Sequence, residues 1–497
     1  MKIKYKYAKH LCVACSCLFL TSCFDLEYEN FSKIPSDGYP QSEADLDAAT
    51  IGVYHTLGKS FVMDYLDHSG WTLSELPTDE LNTGWGGAWI LRDQFQWTAN
   101  NDGKVETCYK LYQTGITKAT RIIDAFERSS VNEGKKERYI AELRAIRALY
   151  AQLLYSLVGP VPIVTDPSIA NDVYSEWKPV RPSKEEYVKF ITTELEEVHS
   201  VLNNTVTNTE YGRMTQGAAL TLLMKVYLND KDWEKAAETA QRVMDLGVYE
   251  LLPVYKNVFA IENEGPSNKE IIFPIQRITS NTSFSWSYFA CVLPSSPLYK
   301  SKLGINMSIW GGLKMPWSFY DKYEEGDSRL ETIIRYYTDV DGNEVDYRQV
   351  KHSKATGAAP MKYSEDPEHI GSAQGNDFIM FRYADVLLSR AEALNELNGP
   401  TAECVELINQ IRRRAHASEI KVGNFTKESL RDFILDERGR ELYCEGHRRD
   451  DLIRHGKLIE YAVRDGYGAK DYHVLYPIPQ SVMNENPNLK QNPGYEN

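Results

Sequence analysis

"GAALTLLMKVYLNDKDWEKAAETAQRVMDLG", residues 217–247, is the stretch on which the fold turns. Two segments with apolar residues at helical spacing flank a short polar turn. Leu223, Tyr227 and Ala236 fall where the tetratricopeptide pattern asks for a large residue, an aromatic and a small one. The small residue lets the two helices approach, and the aromatic fills the groove between them.

Working outward, the same rhythm returns. In "CYKLYQTGITKATRIIDAF", residues 108–126, Tyr112, Ile116, Ala119, Ile123 and Phe126 line one helical face. "RYIAELRAIRALYAQLLYSLVG", residues 138–159, repeats this with Ile140, Leu143, Ile146, Leu149 and Leu153, then stops at Gly159-Pro160. A looser copy spans residues 382–415, with Leu387, Ala391 and Leu394 on one helix and Val405, Ile408 and Ile411 on the next. About four such hairpins are enough to stack into a short solenoid. A plain helical bundle is the other architecture compatible with these degenerate motifs.

From about residue 248 to 378 the helical period fades into Gly, Pro, Asn and Ser clusters with isolated Trp286, Trp310 and Trp317. "RYYTDVDGNEVDYRQVK", residues 335–351, carries an Asp-Gly turn between alternating segments and reads as a β-hairpin. The fold class is therefore mostly α: tetratricopeptide-like hairpins as a scaffold, with long irregular loops and a small β-hairpin. A loop region this long inside a compact chain points to function.

At the N-terminus, Lys2, Lys4, Lys6 and Lys9 precede an apolar run, "LCVACSCLFL", which falls well short of the roughly 20 residues of a membrane span. A signal peptide over residues 1–22 fits. Leu20-Thr21-Ser22-Cys23 has the small-residue pattern of a lipoprotein cleavage site, so Cys23 is expected to be acylated as the lipid anchor. Asp25, Glu27 and Glu29 follow it, resembling the acidic export tag of surface lipoproteins. The chain is acidic, with a formal charge of −14, which argues against nucleic acid as a partner. Beyond Cys23, Cys108, Cys291, Cys404 and Cys444 lack zinc-type spacing and read as buried apolar side chains. A Cys404–Cys444 bridge is the alternative open to an exported protein.

Catalytic patterns fail one by one. No G-x-S-x-G or H-E-x-x-H occurs, and the ten histidines do not cluster. Gly58-Lys59-Ser60 lacks the glycine that a phosphate loop needs at position 53, where Val53 stands. "DVDGNE", residues 339–344, departs from a calcium loop at Glu344. Asp79 and Glu80 in "LPTDEL" are the best adjacent pair for glycoside hydrolysis, yet neighbours in sequence diverge in direction, and Thr78 or Asp79 reads as a helix cap. No catalytic residue, metal ligand or cofactor is assigned, and the protein is read as a non-enzyme.

Several segments taken together resemble the SusD/RagB family of outer-membrane nutrient-binding lipoproteins: the lipoprotein start, "GPVPIV" at 159–164, residues 212–251, "FIMFRYADVLLSRAEALNELNG" at 378–399, "INQIRRRA" at 408–415, "DERGRELYCEGHRRDDLIRHGK" at 436–457 and "LYPIPQSVMNENPNLKQNPGY" at 475–495. The likeness runs in order along nearly the whole mature chain. It implies an N-terminal part over 23–250 and a C-terminal part over 251–497. It also implies an outer-membrane location facing the cell exterior, and a lid role over a SusC-like TonB-dependent transporter, with a glycan as ligand. Peptide capture is the alternative inside the family; a glycoside hydrolase or a helical-repeat adaptor is the alternative outside it. Glu437, Arg438, Glu441, Glu445, Gly446, Arg448, Asp451, Leu452 and Arg454 carry the family's charged signature, whose spacing of three and four assigns it to helix-face ion pairs and capping. The family's usual aromatic after the arginine is replaced here by Arg449 and Asp450.

Sugars present a polar rim and an apolar face, so a binding surface needs exposed flat aromatics. "NTGWGGAWILRDQFQW", residues 82–97, offers Trp85 and Trp89 on a glycine-rich loop; "TSNTSFSWSYF", residues 279–289, offers Trp286 and Tyr288. These four are the expected ligand-binding residues, on two loops brought together. Trp97, Trp233 and Trp317 sit in or beside periodic segments and read as packing.

Overall fold

The computed structural model describes residues 39–61, 70–172, 174–280, 284–351 and 356–495; the leader and Cys23 lie outside them. The long helices are α1 (Glu43–Phe61), α2 (Gly103–Arg128), α3 (Glu133–Val158), α4 (Lys184–Val198), α5 (Gln216–Asn229), α6 (Trp233–Asp245), α7 (Tyr383–Asn398), α8 (Ala402–Arg414) and α9 (Lys427–Leu442). Asp102, Ser183, Thr215, Asp232, Thr401 and Thr426 each accept a first-turn amide of the helix that follows, which is why the chain turns into helix at these points. The apolar faces read from the periodicity are the buried ones: Tyr112, Ile116 and Phe126 on α2, Leu143 and Ile146 on α3, Leu223 on α5 and Ala236 on α6.

Each helix lies against its neighbours in a continuous stack: α1 on α2 and α3, then α3 on α4, α4 on α5, α5 on α6, α6 on α7, and α7 on α8 and α9. At Gly115 of α2, a Cβ would overlap the ring of Tyr150 on α3, so the close approach of these two helices requires glycine. The step from α6 to α7 crosses more than 130 residues of irregular chain, yet the two helices touch. That excursion is closed at its base by a fully buried antiparallel pair, β2 (Ile271–Ile275) with β6 (Phe378–Arg382). Within it, β4 (Tyr336–Thr338) pairs with β5 (Glu344–Asp346) around Asp341-Gly342, the hairpin expected from the sequence.

The charged signature is structural, but not through helix-face pairs. Only Arg440–Glu437 and Arg454–Asp451 are local. The others reach across the molecule. Arg382 of β6 bonds Glu441 at 2.6 Å, Glu445 at 2.7 Å and Glu270 at 2.9 Å; Arg329, steadied by its near neighbour Asp327, bonds Glu437 at 2.7 Å; Arg438 bonds Asp385 of α7 and Asp451, both at 2.8 Å. All of these side chains are buried. Their neighbours hold Glu441 at about 2, because the guanidinium groups of Arg414, Arg382 and Arg329 outweigh its burial. Arg449 and Asp450 are accommodated: Arg449 donates to the carbonyls of Ser156 and Val474 and lies 5.0 Å over Tyr476, while Asp450 accepts from the Ser156 hydroxyl.

One reading of the sequence is corrected, and one alternative, the Cys404–Cys444 bridge, gives way to the buried thiols that the spacing suggested. Asp79 caps no helix: it follows the short helix Gly70–Glu75 and makes a bidentate pair with Arg448 at 2.7 and 2.9 Å. Cys404 and Cys444 are buried free thiols, as are Cys108 and Cys291.

Beneath the lattice, Glu75 and Glu80 accept the backbone amides of Gly446 and Cys444. Burial pushes Glu75 up to about 7 and raises its neighbour Glu80 as well, with the repulsion between them adding to Glu80's shift.

Two outcomes are expected. Arg382→Ala leaves three buried carboxylates facing an empty site and should destabilise the fold by about 3–5 kcal/mol, read from urea unfolding; a change within experimental error would show that the lattice does not bear on stability. The second concerns pH. The folded chain holds a proton on Glu75 that the unfolded chain, titrating at about 4.3, has released. Its stabilising contribution is therefore complete below that value and is lost as pH rises through 7. Wild type should lose stability relative to Glu75→Gln between pH 5 and 8, and a flat difference over that range would contradict the assignment.

Candidate functional site

A two-residue ribbon assembles the strongest surface feature. β1 (Asn82–Thr83) pairs antiparallel with β3 (Leu313–Lys314), and Gly84 donates to the Gly312 carbonyl at 2.8 Å. Chain segments more than two hundred residues apart thereby present their tryptophans side by side. Trp85 and Trp89 meet edge to face with ring centroids 4.6 Å apart, and Trp310 stands 6.5 Å from Trp85. Trp85 and Trp89 are half-buried, and Trp310 is 37% exposed. At this spacing the rings brace one another while leaving indole surface to solvent.

Local chemistry fixes each ring. The Trp85 amide donates to the Thr83 hydroxyl at 3.1 Å. Its indole lies so close over Gly312 that a Cβ there would overlap it. Trp89 sits on the short helix Ala88–Asp93, entered through Gly87 at φ 64°. Asp93 closes that helix with a buried carboxyl that the Tyr467 hydroxyl approaches at 3.5 Å, and burial pushes it up to about 7. The Trp310 and Gly311 amides both donate to the Ala290 carbonyl, at 2.6 and 2.9 Å.

Trp286 and Tyr288 are not on this surface, and the expectation that they contact ligand is corrected. They are 1% and 0% exposed. The ring of Trp286 stacks on Tyr288 at 5.0 Å and is enclosed edge-on by Tyr363 at 5.0 Å and Phe378 at 5.8 Å. The Trp286 backbone pairs with Gln374 in both directions, and the side chain of Gln374 accepts the Phe289 amide at 2.8 Å. The polar residues that suggested an exposed loop, Ser285 and Ser287, are themselves buried. This segment instead underlies the platform, since Ala290 of the helix Tyr288–Val292 holds Trp310 in place. Trp97 is buried as expected, and Trp233 and Trp317 pack against the core.

Trp310 was not expected on this surface. A signal existed: Trp-Gly-Gly occurs at 85–87 and again at 310–312, and in each copy glycine opens the backbone beside an indole. The tempting carboxylate pair is engaged in the interior: Asp79 is held by Arg448 and Lys322, and Glu80 is buried beside them. Among the described residues no group of three His, Cys, Asp or Glu side chains gathers at metal-ligating spacing.

Comparison with known proteins places this architecture. Residues 269–495 match the model of the SusD family, and residues 25–228 match a SusD-like model described as starch-binding and associating with the outer membrane. The starch-binding protein SusD of Bacteroides thetaiotaomicron is 26% identical, over 85% of this chain and 84% of its own length. Surface glycan-binding protein A from Bacteroides fluxus has a TM-score of 0.74 at 25% identity, covering 92% of this chain and 100% of that one. A laminarin-binding SusD-like protein shares the fold, with a TM-score of 0.76 at 22% identity over 92% and 100% of the two chains. Matched in order through both halves, and built on the same helical stack as these relatives, the chain belongs to the SusD family.

Proposed function

We propose that this protein binds oligosaccharide or polysaccharide at the cell surface through the platform of Trp85, Trp89 and Trp310 and passes it, without cleaving it, to a SusC-like TonB-dependent transporter for which it acts as the lid. The observation that carries this reading is the set of three partly exposed indoles held by a rigid ribbon on the surface of a chain whose relatives are named for starch, laminarin and surface glycans. Flat apolar rings match the C–H faces of sugars, and a surface of this kind leaves much of the ligand wet, so affinity is modest and rises with chain length. Anchorage at the outer membrane is through acylated Cys23. Acyl chains contribute about 0.8 kcal/mol per buried CH₂, and more than one chain gives durable attachment.

Two tests follow. In affinity electrophoresis against starch and laminarin, Trp89→Ala and Trp310→Ala should each weaken binding by about tenfold, about 1.4 kcal/mol, while leaving the thermal midpoint nearly unchanged. Trp286→Ala should instead lower the midpoint, as removal of a buried indole costs about 3–5 kcal/mol. Wild-type binding in both surface variants, or capture of peptides but no glycan on an array, would overturn the reading. Separately, Cys23→Ala should release the protein from the membrane fraction; incorporation of labelled fatty acid into that variant would refute the anchor.

A further inference from the structure

The excursion between α6 and α7 encloses a second feature, a cleft of about 1200 Å³. Ligand pockets occupy roughly 300–1,000 Å³, so this one has room for several sugar units. Its distance from the platform is bounded by the chain itself. Leu303 lies on the cleft wall and Trp310 on the platform, and the residues that lead from one to the other reach at most about 25 Å when fully extended. One carboxylate organises this wall: Glu365 accepts the Tyr299 hydroxyl at 2.7 Å, the Ser301 hydroxyl at 2.6 Å, and the amides of Lys302 and Leu303, both at 2.9 Å.

The β4–β5 hairpin supplies the aromatic. Tyr337 turns inward, and its hydroxyl donates to the Pro297 carbonyl at 2.8 Å. Side chains alternate along a strand, so Tyr336 turns outward and is 63% exposed. It is held in place all the same. The Arg335 guanidinium lies 4.7 Å over its ring and is fixed by two bonds, at 3.2 and 3.1 Å, to Asp346, the residue opposite Tyr336 in the hairpin. An exposed ring that is already ordered spares a ligand the entropy of ordering it.

The charges around this ring cancel. Five basic and five acidic side chains line the cleft. Lys256 pairs with Glu331 at 2.7 Å, and Lys300 and Lys302 share the wall with Glu262, Glu344 and Glu365. Such a surface offers both ammonium donors and carboxylate acceptors. A sugar hydroxyl uses both, since it donates one hydrogen bond and accepts others, whereas a charged chain gains no long-range attraction from a wall without net charge.

We propose that the cleft is a second subsite for uncharged glycans, in which Tyr336 stacks on a sugar face, and that one polysaccharide chain occupies it together with the tryptophan platform. The inference rests on the glycan-binding reading above and adds a second contact and a ligand class to it. Binding at a second site by the same chain is intramolecular, so long chains bind more tightly than the platform alone allows.

Isothermal titration with laminarin and laminaritriose, and with soluble starch and maltotriose, tests it. At least one polysaccharide should bind more tightly than its trisaccharide, by about tenfold or more. Its affinity should stay flat as salt rises from about 0.05 to 0.3 M, because the cleft has no net charge to screen. Tyr336→Ala should lower that polysaccharide affinity by about tenfold while trisaccharide binding at the platform and the thermal midpoint stay as they are. Tyr336→Phe, which keeps the ring, should retain polysaccharide affinity. Trp89→Ala/Trp310→Ala should weaken binding of both lengths. The cleft proposal alone is overturned if Tyr336→Ala binds polysaccharide as wild type does, if it weakens the trisaccharide equally, or if polysaccharide affinity falls with salt. Failure of both polysaccharides to bind overturns the glycan reading with it.

Discussion

The structure depends on a lattice of arginine–carboxylate pairs sealed from water around Glu441 and Arg382. Each such ion is costly to desolvate, and the cost is offset only when geometry is good and every lone pair is used. Here α9 and the turn after it provide Glu437, Arg438, Glu441 and Glu445, and the partners arrive from β6, α7, α8 and the irregular excursion. None of these elements can shift independently without stranding a buried charge. The lattice is thus less a source of net stability than a statement of which elements must meet.

That constraint explains how a long irregular segment holds a defined shape. Arg329 and Lys362 both lie within the excursion and both end on the lattice, and β2 with β6 closes its base. Between these fixed points the chain is free to build surface. It does so with very little regular structure: a two-residue ribbon sets the tryptophan platform, and one carboxylate, Glu365, gathers the hydroxyls of Tyr299 and Ser301 and the amides of Lys302 and Leu303. Scaffold and irregular surface thus differ in kind, the one built from capped helices and the other from a few isolated hydrogen bonds.

The hairpins, the β4–β5 turn and the structural role of the charged signature were legible in the sequence, because helix periodicity, capping and Asp-Gly turns are local rules. The ion-pair partners were not. Spacing of three and four suggested pairs along a helix face, but Arg329 and Glu437 are brought together from 108 residues apart. The same is true of Asp79, which looked like a cap and is instead half of a buried pair with Arg448.

The division is plainest among the tryptophans. By itself, the sequence determined that indoles would sit in non-periodic, glycine- and serine-rich chain; the structure leaves Trp85 half-buried beside its glycines and puts Trp89, also half-buried, on a short helix rather than a loop. Only the tertiary structure decided that Trp286 is covered and Trp310 is not. In a periodic helix the buried face follows from spacing alone. In irregular chain, burial depends on what packs over the ring: Tyr363 and Phe378 close over Trp286 from 77 and 92 residues away. Trp310 lies against the ring of Trp85 and keeps part of its own surface in water.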